Sequence, residues 1–259
     1  MLPEANGVSL FHLQQSDFEL EGLADFQSWL SPEELQRLQR LQLVRHKRQL
    51  LLGRILLREV LSRCLPRLAP EQWRFIYNEQ GKPEIDPAIS EDGLRFNLSH
   101  SRDSIVMAVS RNQDTGIDIE YNQRPRRVPR IVQRFFSALE CGELAALPVS
   151  SQLERFYQLW TLKESYIKAR GLGLALPLDS FSFQFPGSGQ IRFSSHSQDS
   201  NAQQSDWGFW QLGWDRQYSC ALARMCREGE AAVVLQGWQM TGPGEFRESS
   251  PIVLASNQS

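Results

Sequence analysis

Cysteine and histidine are scarce in this sequence, four of each among 259 residues. Cys64, Cys141, Cys220 and Cys226 form no CxxC pair, and His12, His46, His100 and His196 show no zinc-like spacing. A disulfide framework and a Cys/His zinc site are thereby excluded, and ordinary thiols in a reducing, cytoplasmic setting are expected. Long apolar runs are missing too. Stretches such as Leu50–Leu52 and Ile105–Val109 fall far short of a membrane span. Charge of one sign does not dominate. With a net charge of −2, the chain has no global field to attract nucleic acid. Basic residues cluster only locally, at Arg37–Arg48 and Arg124–Arg130, and such runs are usually solvated faces.

Helix and strand signals are plentiful. Ser31-Pro32-Glu33-Glu34 combines an N-cap, a proline at the first helical position and first-turn acids. Helical periodicity continues, with a break, to about Leu65. Strand-like runs follow at 73–77, 94–98 and 104–109, the first two separated by the turn Asn78-Glu79-Gln80-Gly81-Lys82-Pro83. From Gly116 a similar order begins again: a strand at 115–120, helical segments near 129–136 and 138–146, then a long helix from about 151 to 170, stopped by Gly171. Alternating runs at 180–185, 191–193, 207–213 and 218–223 complete the second half. The polar segment 195–206 reads as a flexible loop. Beyond Arg227 one apolar piece, 231–238, precedes a Gly/Pro/Ser-rich end expected to be disordered.

The chemistry concentrates in two segments. Gly116-Ile117-Asp118-Ile119-Glu120 alternates, so as a strand it puts Asp118 and Glu120 on one face. In Trp160-Thr161-Leu162-Lys163-Glu164-Ser165-Tyr166-Ile167-Lys168, Glu164 and Lys168 lie one helical turn apart. Separately, these are most often an edge strand's solvent face and an ordinary helical ion pair. If strand and helix meet, three carboxylates converge beside an ammonium. Unit charges about 4 Å apart repel by roughly 4 kcal/mol at an effective dielectric near 20, so such convergence implies a bound cation. His100, at a strand end in Asn97-Leu98-Ser99-His100-Ser101, and Lys82 in its Gly-Lys-Pro turn carry weaker signals. Both regions offer compact donors suited to phosphate oxygens.

Together, Gly81-Lys82-Pro83, Phe96-Asn97-Leu98-Ser99-His100-Ser101, Gly116–Glu120, Arg134-Phe135-Phe136-Ser137 with Glu140, and Trp160–Ser165 with Lys168 resemble the Sfp-like (surfactin-synthetase-activating) branch of the 4′-phosphopantetheinyl transferases. The resemblance covers about residues 31–185. It implies an α+β fold, a pseudo-twofold pair of similar subdomains, each a long helix packed on a small antiparallel sheet. Residues 1–113 and 114–226 would be those subdomains, with the active site between them and 227–259 a partly disordered extension. The implied activity is transfer of the 4′-phosphopantetheine arm of coenzyme A to a serine of apo acyl or peptidyl carrier proteins. These serve fatty acid, polyketide or nonribosomal peptide synthesis, and adenosine 3′,5′-bisphosphate is released. Carried over by position, Asp118, Glu120 and Glu164 would hold Mg²⁺, and Glu164 would also be a candidate base for the serine hydroxyl. Lys168 would partner the pyrophosphate, while His100, Ser99, Lys82, Arg48 and Arg37 would bind coenzyme A. A monomer without nucleic-acid or membrane partners is implied.

The N-terminal half departs from the family pattern. Basic residues commonly follow the Ser-Pro-Glu start, where Glu34 stands here and Arg37 is the counterpart. An arginine is frequent four residues before Gly53, where Gln49 stands behind Lys47 and Arg48. The segment 128–143 would face the carrier, with Arg124, Arg126, Arg127 and Arg130 steering its acidic surface. The rival readings are a Mg²⁺-dependent nuclease or phosphohydrolase on the same carboxylates, and a non-catalytic coenzyme A-binding module.

Overall fold

Residues Gly7–Gln14 carry no motif, yet they form a fully paired strand, β1. It appears in a computed structural model that describes residues 3–4, 6–19, 21–123, 128–195, 206–226 and 229–258. Ser31 then caps α1 (Pro32–Arg40): its hydroxyl accepts the Glu34 N–H, and Glu34 returns a carboxylate oxygen to the Ser31 N–H. At Leu41 the backbone turns extended, which makes the expected break, and the helix resumes as α2 (Val44–Cys64). The Asn78–Lys82 turn closes a hairpin between β2 (Phe75–Tyr77) and β3 (Pro83–Ile85), nearer in sequence than the expected partner strand. Asn78 Oδ1 accepts the N–H groups of Gln80 and Lys82, and Gly81 takes the positive φ of 81° that the turn requires. Next come β4 (Leu94–Ser101) and β5 (Ser104–Arg111), paired antiparallel. β5 also pairs antiparallel with β1, so the unit's last strand returns to its first.

The order then recurs: β6 (Thr115–Tyr121), α3 (Val128–Phe135), α4 (Ala138–Ala146), α5 (Val149–Arg170), the hairpin β7 (Phe181–Gln184) and β8 (Arg192–Ser195), then β9 (Trp207–Gly213) and β10 (Tyr218–Met225). Again the last strand pairs antiparallel with the first, Ala221 opposite Asp118. Ser137 and Glu140 cap α4 with the same reciprocal box that Ser31 and Glu34 give α1. Gly171, at φ 64°, ends α5 as its sequence predicts. Here an aromatic core packs Tyr166 among Phe181, Phe193, Trp207 and Phe209.

The expected disorder past Arg227 is corrected. Residues 234–256 form β11 (Val234–Gly242), β12 (Glu245–Glu248) and β13 (Ile252–Ser256). Packing overrides composition: Trp238 stacks on Phe11 at 5.2 Å and Met240 is fully buried, so these residues gain more from burial than the flanking Gly, Pro and Ser cost. The chain thus divides into Met1–Asn112 with Val234–Ser250, holding the sheet β12-β11-β1-β5-β4, and Gln113–Val233 with Pro251–Ser259, holding β13-β9-β10-β6. Each is a helix-on-sheet α+β unit. Most of the expected loop at 195–206, and Arg124, Arg126 and Arg127, lie outside the described residues.

Candidate active site

Gly116 decides how β6 meets α5. A Cβ at this position would lie 2.1 Å from the Ser165 carbonyl oxygen and 2.4 Å from the Ala169 nitrogen, so only glycine allows the strand to rest on the helix backbone. Asp118 and Glu120 follow at two-residue steps and share the Gly116 face, the one turned to α5. From the helix, Lys168 donates to Asp118 Oδ1 at 2.6 Å and to the Ile117 carbonyl at 3.4 Å. Asp118 is nearly buried, with 7% of its side chain exposed, whereas Lys168, Glu164 and Glu120 are half-buried at the margin of this contact. The strand and helix therefore meet, and they bring the ammonium to the carboxylate.

Among the described residues, no three His, Cys, Asp or Glu side chains converge as a ready metal cage. Repulsion explains why: three carboxylates without a cation would cost several kcal/mol, and Asp118 instead faces Lys168. The donors on this face are nonetheless hard oxygens. Mg²⁺ is commonly held by one or two carboxylates together with phosphate oxygens and water, so Asp118 and Glu120 suit it without a closed cage. Beyond Glu120, a groove of ≈ 730 Å³ is lined by Asn122, Leu153, Gln158, Gln211, Tyr218 and Leu254.

Lys163, beside Glu164 in sequence, belongs to the scaffold. It is wholly buried and donates to Glu140 Oε2 at 2.7 Å, to the Leu178 carbonyl at 2.7 Å and to the Phe181 carbonyl at 2.8 Å. Glu140 in turn accepts the N–H groups of Ser137 and Phe183. Burial pushes the Lys163 ammonium pKa down, and Glu140 opposes that shift. Every donor of the ammonium is used, so α5 is locked in roll to α4 and β7 while Glu164 and Lys168 stay half-buried. The first unit repeats the device with arginines: buried Glu34 lies 2.6 Å from both Arg54 and Arg58. This accounts for the acid at position 34, whose carboxylate serves the fold.

In the first unit, His100 stands exposed at the end of β4. Asn97 and Ser99 are buried, and alternation turns them to the opposite face. The strand thus places the Ser99 and His100 side chains on opposite faces, Ser99 buried and His100 exposed. His100 instead meets Gln49 of α2, whose Nε2 lies 3.0 Å from Nδ1 and 2.9 Å from Nε2 of the ring. Lys82 ends the β2–β3 turn, Arg37 is exposed in the last turn of α1, and Arg48 is half-buried in the first turns of α2.

Two family models match. One, 4′-phosphopantetheinyl transferase superfamily, covers residues 114–223, and the other, 4′-phosphopantetheinyl transferase, N-terminal, covers 19–112. They meet where the first unit gives way to the second. The chain is 39% identical over 175 residues to 4′-phosphopantetheinyl transferase Sfp of Bacillus subtilis, spanning 66% of this chain and 75% of that one. With 4′-phosphopantetheinyl transferase HetI of Nostoc sp. it shares 37% identity over 163 residues, spanning 63% and 67% of the two chains. With 4′-phosphopantetheinyl transferase AcpT of Escherichia coli O157:H7 it shares 43% over 122 residues, spanning 47% and 56%. On these matches the chain belongs to the 4′-phosphopantetheinyl transferase superfamily, in its Sfp-like branch.

Proposed function

We propose that this protein transfers the 4′-phosphopantetheine arm of coenzyme A to a serine of apo acyl or peptidyl carrier proteins, releasing adenosine 3′,5′-bisphosphate. The carrying observation is the β6–α5 contact, where the family's acidic strand and its Lys-Glu helix bring Asp118 and Lys168 to 2.6 Å. In the step, the serine oxygen bonds to the phosphorus next to the pantetheine arm. The bond from that phosphorus to the bridging pyrophosphate oxygen breaks. Glu164 takes the hydroxyl proton, and Lys168 stabilises the departing phosphate. Asp118, Glu120 and Glu164 would hold Mg²⁺, which would supply charge neutralisation at the pyrophosphate. Phosphoryl transfer asks mainly for positioning and neutralisation, and this face offers both.

His100, Ser99, Lys82, Arg48 and Arg37 take the phosphates of coenzyme A. The carrier approaches along residues 128–143 and the Asn122–Tyr218 groove. We further read the protein as a cytoplasmic monomer with no nucleic-acid or membrane partner. The four cysteines are free thiols, and among the described residues no helix is long and apolar enough to cross a membrane.

The test is mass spectrometry of several apo carriers incubated with the protein, coenzyme A and Mg²⁺. One added phosphopantetheine per carrier is expected, abolished by Asp118→Ala or Glu164→Ala. No addition to any carrier would overturn the reading, and hydrolysis of nucleic acid or phosphate esters instead would favour the phosphohydrolase rival.

A further inference from the structure

A Cβ placed on Gly53 would lie 3.9 Å from Leu98 Cδ2, so this side of α2 covers the β4 face that carries Leu98. Gln49 precedes Gly53 by one helical turn, and His100 follows Leu98 by one two-residue strand step, so the same register that sets Gly53 over Leu98 sets Gln49 over His100. The contact is close: the Gln49 carboxamide nitrogen lies 3.0 Å from Nδ1 and 2.9 Å from Nε2 of the ring.

Gln49 is held by a 21-residue helix whose inward face buries Leu52, Ile55 and Leu56. His100 sits in the regular β4–β5 ladder opposite Ile105. Both backbones are therefore fixed, and only the side-chain torsions remain to be set. An exposed histidine at a strand end sweeps several rotamers, and a ligand that needs one of them must freeze the ring on binding. A neutral carboxamide can donate through its NH₂ or, turned over, accept through its oxygen, so it holds the ring without selecting one charge state.

We propose that Gln49 is a positioning residue that pre-sets the His100 ring for the phosphate of coenzyme A, acting through His100 rather than touching the ligand. This rests on the assignment of His100 to coenzyme A made above.

The experiment compares Gln49→Leu, His100→Ala and the double variant in the full chain. It measures coenzyme A affinity by calorimetry, KM and kcat in carrier transfer, and the His100 ring nitrogen resonances by NMR. Gln49→Leu should weaken coenzyme A binding and raise KM by about three- to tenfold, the size of one lost hydrogen bond. kcat should stay within about twofold, since ground-state and transition-state binding fall together. The His100 ring signals should shift, thermal unfolding should stay near wild type, and the double variant should be no worse than His100→Ala alone. If His100→Ala weakens binding but Gln49→Leu does not, or if the two effects add, the positioning role is overturned. If His100→Ala itself leaves binding unchanged, the assignment of His100 falls, and this proposal with it.

Discussion

The ammonium of Lys168 lies 2.6 Å from Oδ1 of Asp118, joining the last turns of α5 to the middle of β6. The carboxylate is nearly buried and the lysine is about one-quarter exposed, so the amine can exchange Asp118 for an incoming phosphate without unfolding anything. Lys168→Met is expected to lower transfer about 100-fold or more, comparable to removing a preorganised charge contact to a transition state. Asp118→Asn keeps an acceptor for Lys168 but drops the charge, so half-maximal rate should require more Mg²⁺. Chelation with EDTA should stop transfer, and added Mg²⁺ should restore it. Rates unaffected by EDTA would refute the assigned metal role.

Gly116→Ala tests the close approach directly. Its methyl group would meet the Ser165 carbonyl and the Ala169 nitrogen, both backbone atoms of a helix that cannot yield locally. Overpacking of this kind costs about 1–3 kcal/mol, and more where backbone must move. The urea midpoint should fall accordingly, and activity should fall further than stability because Lys168 is carried away from Asp118. A stable, fully active variant would show that α5 shifts freely on β6.

Lys163 and Glu140 are both wholly buried, 2.7 Å apart. Removing one partner of such a pair typically costs about 3–5 kcal/mol, because the other charge is left without compensation. Lys163→Met should show that loss in urea unfolding. Adding Glu140→Leu should not recover it, since the N–H groups of Ser137 and Phe183 and the carbonyls of Leu178 and Phe181 would lose their partners. Recovery in the double variant would mean that those four backbone groups find other partners cheaply.

What the sequence made legible was local. Ser31 and Ser137 announce their helices through residues three positions away, Gly171 ends α5 by its own conformation, and Gly116 to Glu120 states its alternation within five residues. What it hid was long-range. Leu10 pairs with Gly237 and Phe11 stacks on Trp238, so neither β1 nor β11 is specified until its distant partner is known. The same holds in the site. The approach of Lys168 to Asp118 was conditional on a packing that only Gly116 permits. Ser99 and His100 look like one donor group in sequence, but a strand sends them to opposite faces. Gln49 gains its meaning only from His100, on another element.

His12 gives a prediction in pH. It is buried in β1, with Nε2 3.1 Å from the Ser249 hydroxyl oxygen. Burial, helped by the nearby Arg247 cation, lowers its pKa from 6.5 to about 4. Between those values the unfolded chain binds a proton that the folded chain refuses, so acid pulls the equilibrium toward unfolding. The contribution of His12 is therefore complete above pH 6.5 and is lost as the pH falls toward 4. From pH 7 to pH 5 the loss is about 2 kcal/mol. Glu59, raised by its own burial, works in the opposite direction, so the comparison must be made against a variant. His12→Gln keeps a polar side chain able to bond Ser249 but cannot titrate. Unfolding free energies from urea titrations at pH 7 and pH 5 should differ by about 2 kcal/mol less in His12→Gln than in the wild type. Equal pH dependence in the two proteins would mean that the imidazole can take up its proton inside the folded sheet.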